Sequence, residues 1–156
     1  MPTLESVATI AAAIVAALTA GIYLAFTVMV LPALRSGSPA TAITVMQRVN
    51  VAALRPPFML LFFGGTLLAV AVIVTELASG AVGTFGWLRL VGAGLALLSF
   101  VITVVRNVPL NTALAAASST DSGAWVAFDR PWGRANLLRA GFSTAGAVLL
   151  VVSLFR

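Results

Sequence analysis

The sequence predicts an all-α membrane protein: a bundle of four transmembrane helices with a short amphipathic helix in each of two long connections. Three observations carry this. The chain of 156 residues is 61% hydrophobic and only 8% charged. Its apolar residues fall into long runs, and its nine basic residues, all arginine, lie toward the ends of those runs. A soluble domain is roughly a quarter charged and needs that polarity to cover its surface. A mean hydropathy of +1.11 belongs to a chain whose apolar side chains can face outward into lipid.

Roughly 20 apolar residues cross about 30 Å of hydrocarbon. The first span, about residues 6–34, holds no charge and is too long for the apolar core of a signal peptide. Pro32 should bend or stop it. The second covers about 57–77, with Pro56 and Pro57 at its first turn, where proline is tolerated. A short turn, Ser79-Gly80-Ala81-Val82-Gly83-Thr84, leads to the third span, about 85–107, with Arg89 near enough to one end to snorkel. The fourth covers about 131–155. All of 1–156 reads as one membrane domain.

Arg35, Arg48 and Arg55 lie in the first long connection, and Arg106, Arg130, Arg134 and Arg139 flank the second. Arg89 and Arg156 mark the opposite side. The positive-inside rule then puts both long connections in the cytoplasm and both termini outside, with a bacterial plasma membrane as the expected location. The same arginine placement, spread among apolar segments, argues against nucleic acid. Small residues repeat every four positions at Ala13, Ala17, Gly21 and Ala25, at Gly92 and Ala96, and at Gly141 and Ala145. This spacing suits close helix packing in lipid and is compatible with a homo-oligomer.

The chain has no cysteine and no histidine, and its four acids are scattered. Disulfides, thiolate chemistry and a metal-ligand cluster are therefore not expected, and neither is any cofactor. Phosphate loops, dinucleotide fingerprints and serine-nucleophile motifs are absent. A transporter should carry ionisable groups near mid-membrane, and the central polar residues are instead Thr19, Thr66, Ser99, Thr103 and Ser143.

The two connections hold the informative residues. Ser38–Leu54 reads as an amphipathic helix that puts Gln47 and Asn50 on one face. In Asn107-Val108-Pro109-Leu110-Asn111, the proline should end or kink the third helix at Asn107, with a short helix beyond. Leu31-Pro32-Ala33-Leu34 echoes Val108-Pro109-Leu110 and suggests two tandem helix–arm–helix units. Trp125, Asp129, Trp132, Asn136 and Arg139 step by four, three, four and three, one helical face if Pro131 only kinks the chain. If Pro131 starts the fourth helix instead, Trp132, Asn136 and Arg139 remain. These polar groups share one membrane boundary and must find partners. They could cap broken helix ends, with the tryptophans as interface anchors. They could instead form the mouth of a pocket with indole walls. Arg139 favours the pocket: it lies deeper than topology needs, and a buried arginine calls for an anion.

With Gly21, Met29 to Pro32 to Leu34, Met46-Gln47, Asn50, Asn107 to Asn111, Trp125, Trp132, Asn136 and Arg139 in this order, the chain resembles the small four-helix membrane proteins of the anthrone oxygenase-like family over almost its whole length. The resemblance implies a cofactor-independent oxygenase that converts a hydroxylated anthrone to an anthraquinone with O₂. Arg139, Asn136 and Asn107 would hold the substrate's oxyanion, and Trp125 and Trp132 would stack on its rings. Gln47, Asn50 and Asn111 would complete the binding surface. Asp129, or else Asp121, would be the base. The alternative is a non-catalytic membrane module that binds lipid, a quinone or a partner membrane protein through the same polar mouth.

Overall fold

The structure, a computed structural model, describes residues 4–80 and 82–155. These form seven α-helices and two π-helical turns: α1 (Leu4–Ala25), π1 (Phe26–Val30), α2 (Leu31–Arg35), α3 (Pro39–Ala53), α4 (Pro56–Ala78), α5 (Thr84–Ile102), π2 (Thr103–Asn107), α6 (Val108–Ala116) and α7 (Ser122–Val152). No strand occurs among the described residues. Four helical stretches are long and apolar enough to cross a membrane: Glu5–Arg35, Pro56–Ala78, Thr84–Ala116 and Ser122–Val152. The protein is an all-α membrane protein. Leu18, Leu60, Leu67, Leu137 and Leu138 are exposed on its outer faces, as a lipid solvent permits.

α1 packs on α4 and α7, and α5 packs on the same two helices, so the four long elements form a ring with α1 and α5 diagonal. α1 turns Thr9, Ala12, Ala13, Ala16, Ala20 and Tyr23 inward. This face steps by three and four residues. The predicted stripe of strict fours drifts off it, which leaves Ala17 and Gly21 exposed. The closest crossing joins α5 to α7 at Gly92 and Gly146: a Cβ on Gly146 would stand 2.7 Å from the Gly92 carbonyl oxygen. Gly141 and Ala145 face outward.

The prolines act differently from expectation. Pro32 neither stops nor sharply ends the first helix. π1 widens the chain just before it, the Leu31 N–H reaches back to the Phe26 carbonyl, and the helix continues to Arg35. π2 does the same before Pro109, with the Val108 N–H on the Thr103 carbonyl, so the third helix passes Asn107 and runs on to Ala116. A proline lacks the N–H for the carbonyl four residues back and its ring crowds that carbonyl. One wide turn accommodates both defects without breaking the rod. Pro131 lies inside an uninterrupted α7, on its exposed side.

Local caps set the connections. Ser38 opens α3 by accepting from the Thr41 N–H at 3.2 Å, with Pro39 in the first turn. Asp121 opens α7 by accepting from the N–H groups of Gly123 and Ala124. α3 and α6 then meet against α7, where Leu31, Ile43, Met46, Leu114, Trp125, Phe128 and Trp132 form a second apolar core beside the bundle.

At the other end, Arg89 does not snorkel to the surface. It is buried, with Nε 2.6 Å from Glu76 Oε2 and Nη2 2.8 Å from Glu5 Oε1. Glu76 is 2% exposed and presses on Gly86, where any side chain would collide with the carboxylate. The triad of Arg89, Glu76 and Glu5 ties α1, α4 and α5 together.

Two stability outcomes follow from this packing. Gly146→Ala should lower the thermal unfolding midpoint of the detergent-solubilised protein, at a cost of roughly 1–3 kcal/mol. Gly141→Ala, with open space around its Cβ, should leave the midpoint unchanged. Glu76→Ala leaves Arg89 with Glu5 alone and should cost less than the roughly 3–5 kcal/mol of a fully broken buried pair, a loss that Glu76→Ala combined with Glu5→Ala should reach in the same measurement.

Candidate functional site

The two π-turns bracket a cavity of about 310 Å³ near the end of the bundle that carries α3 and α6. Tyr23 of α1, Phe26 of π1, Asn50 of α3, Phe58 and Phe62 of α4, Thr103 of π2, Asn111 of α6, and Trp132 and Arg139 of α7 all line it. Its walls are aromatic. Phe26 packs on Trp132 with ring centroids 5.6 Å apart, and Phe58 stacks on Phe62 at 6.1 Å. Small-molecule pockets run from roughly 300 to 1,000 Å³, so this one stands at the small end of that range.

Arg139 is the charged group of the cavity lining, and it is 5% exposed. Its guanidinium carbon stands 3.9 Å from the centroid of the Tyr23 ring and 5.6 Å from that of Trp132. Nη1 donates to Thr103 Oγ1 at 3.2 Å and Nη2 to Asn136 Oδ1 at 2.7 Å. Nε–H has no acceptor. A buried cation is costly unless paired, and this one meets neutral oxygens and ring faces only. All four acids of the chain are engaged elsewhere: Glu5 and Glu76 on Arg89, Asp129 on Arg35 at 2.9 Å, and Asp121 on the α7 N-terminus.

π1 explains how Arg139 is held. Asn136 Nδ2 donates to the Tyr23 carbonyl at 2.7 Å and to Thr27 Oγ1 at 2.9 Å. The same carbonyl also accepts from the Thr27 hydroxyl at 3.1 Å, so Tyr23, Thr27 and Asn136 form one closed network at the α1–π1 junction. With its amide nitrogen fixed, Asn136 can present only its oxygen to Arg139.

The predicted residues thus separate. Asn50, Asn111, Trp132 and Arg139 line the cavity. Asn111 accepts from the Trp132 indole N–H at 2.8 Å and fixes that ring, while Asn50 Nδ2 is buried without a partner. Asn136 touches Arg139 from behind. Gln47 Nε2 donates to the carbonyls of Leu114 and Ala117, which closes the C-terminus of α6. Trp125 lies in the apolar core with Phe128. Asn107 is 1% exposed in π2, and neither of its amide atoms has a partner. Asp129, expected as a base, faces Arg35 in a separate surface groove, and Asp121 is a cap. Neither acid reaches the cavity. Tyr23 escaped the sequence reading. It is the chain's single tyrosine, and that was its signal in an otherwise apolar span.

The family model for anthrone oxygenase matches residues 58–149, more than half of the chain. The protein belongs to the anthrone oxygenase family. The matched stretch includes Asn107, Asn111, Trp125, Trp132, Asn136 and Arg139, whereas Tyr23 and Asn50 precede it. No curated protein and no solved structure matches the chain.

The buttressing role of Asn136 is testable. Asn136→Ala removes one donor from the Tyr23 carbonyl, which keeps the Thr27 hydroxyl, and leaves Arg139 Nη2 without its acceptor. It should lower the unfolding midpoint by roughly 1–3 kcal/mol, the cost of stranding a buried polar group, and impair ligand binding. Asp129→Asn should leave ligand affinity unchanged.

Proposed function

We propose that this protein is a cofactor-independent oxygenase that oxidises a hydroxylated anthrone to the anthraquinone. The observation that carries the reading is the buried guanidinium of Arg139, without a carboxylate, in an aromatic-walled cavity that also contains the free Asn50 amide. Family membership supplies the reaction class.

The chemistry needs little from the protein. An anthrone carries a carbonyl at one position of its central ring and a CH₂ opposite. Loss of one CH₂ proton gives an aromatic enolate, with the negative charge on the former carbonyl oxygen. Nε of Arg139 and Nδ2 of Asn50 are donors for that oxygen, preorganised in a site of low dielectric. Phe26, Trp132, Phe58 and Phe62 hold the ring plane and exclude water. The enolate transfers an electron to O₂, and the two radicals join in a C–O bond at the former CH₂ carbon. The peroxide is protonated. Loss of the second proton from that carbon, with cleavage of O–O and departure of hydroxide, gives the second carbonyl. The sum is anthrone plus O₂ to anthraquinone plus water.

A cytoplasmic side for this cavity is supported by the positive-inside rule, since Arg35, Arg48, Arg55, Arg106, Arg130 and Arg134 lie in or beside α2, α3, α6 and the start of α7. An apolar polycyclic substrate would enter from the membrane.

The test is O₂ consumption by the protein in nanodiscs with a hydroxylated anthrone. Uptake should exceed the spontaneous rate, and Arg139→Ala should lower kcat at least about 10²-fold, as loss of an oxyanion donor does. Asn50→Ala should act in the same direction. No uptake above background by well-folded protein would leave the cavity to a non-catalytic role, binding a quinone or lipid.

A further inference from the structure

Arg139 belongs to the cavity. Six other arginines lie at the same end of the bundle, and the positive-inside rule accounts for their presence there without saying what each one meets. We infer that Arg106 and Arg134 form a site for one phospholipid with an anionic headgroup, seated in the groove between the third and fourth spans. The inference stands apart from the oxygenase reading.

The charge of the groove is the first ground for it. Arg106 of π2 and Arg134 of α7 line one recess of about 520 Å³. Both side chains are exposed, and neither has a hydrogen bond or an ion pair among the described residues. Two like charges at one recess repel each other, and no acid lines it. The four acids of the chain are committed to Arg89, to Arg35 and to the α7 cap. The compensating anion comes from outside the chain.

The second ground is the rest of the wall, which is apolar: Ile102, Val105, Leu110 and Leu138. Ile102 lies about one turn from Arg106 toward the middle of its span, and Leu138 about one turn from Arg134 toward the middle of its own. The apolar wall therefore continues into the membrane from the level of the guanidinium groups. Val105 and Leu138 are exposed along it. A soluble anion would leave this wall uncovered. A phospholipid fits both halves, with phosphate oxygens on the two guanidinium forks and acyl chains along Val105, Ile102 and Leu138.

The other arginines of this end lack the combination. Arg48 and Arg55 share a recess formed by α3 and the turn after it, with Thr44 and Gln47 in its wall. Arg134 also borders a groove with Arg35 and Arg130, but there Asp129 contributes a carboxylate, already paired with Arg35. A lipid between Arg106 and Arg134 would clamp π2 to α7, the two elements that Thr103 and Arg139 join from the inside.

The experiment titrates delipidated protein in detergent with phosphatidylglycerol, phosphatidylcholine or inorganic phosphate, and follows thermal unfolding. Phosphatidylglycerol should raise the midpoint saturably, as a ligand of the folded state does, and native mass spectrometry should show one such lipid per chain. Phosphatidylcholine should bind at least about tenfold more weakly. Arg106→Gln combined with Arg134→Gln should weaken phosphatidylglycerol binding at least about tenfold, as loss of two arginines near an anionic headgroup does. Arg48→Gln combined with Arg55→Gln removes the same charge from the same end and should bind as the wild type does. All four side chains are exposed, so the lipid-free midpoints should agree. If the Arg106 and Arg134 double variant does not fold, Arg134→Gln alone should show the same direction of change. Equal binding of the two phospholipids by the wild type, or equal loss in the two double variants, would overturn the inference. A stabilisation by inorganic phosphate that matches that of phosphatidylglycerol would also overturn it, since the groove would then take a soluble anion.

Discussion

The structure is organised around one buried cation. Arg139 lies between the faces of Tyr23 and Trp132, with its two terminal nitrogens on Thr103 and Asn136. In lipid such a group cannot be hydrated, so everything around it must either satisfy it or contain what does. Asn136 fixes it from one side and is itself fixed by the π1 turn. Asn111 fixes Trp132. What remains is Nε–H and a cavity: the polarity of the site is assembled, and its anion is left to the occupant.

The π-turns give this site its shape. Each lies directly before a Leu-Pro or Val-Pro step, and each sends side chains into the cavity wall. The prolines go with a widened helix rather than an ended one, and the wide turns carry Phe26 and Thr103 to the cavity wall. The tandem echo in the sequence corresponds to this shared device, placed on α1 and α5, the two diagonal helices of the ring.

Much of this was legible in the sequence, for definite reasons. The spans follow from length and hydropathy, and the Trp132, Asn136, Arg139 face follows from helical spacing that a proline on the outer surface did not disturb. Proline was misread because sequence shows the missing N–H but not the wide turn that absorbs it. Gln47 and Trp125 were grouped with the site because they share its membrane depth. Depth does not distinguish a residue that caps α6, or one that fills the apolar core, from one that lines the cavity. Asp129 found its partner in Arg35, 94 positions away, a separation no local pattern reveals. Glu76 and Arg89 form their pair across the α4–α5 turn, and a positive-inside count reads such an arginine as a topology mark.

If Arg139 awaits an oxyanion, an experimental structure of the protein with a hydroxylated anthraquinone bound should show it. The ring plane should then lie between the Trp132 and Phe62 walls, with a ligand oxygen within hydrogen-bond distance of Arg139 Nε and Asn50 Nδ2. A ligand elsewhere in the protein, or a cavity closed by its own side chains with Arg139 on a carboxylate, would contradict it.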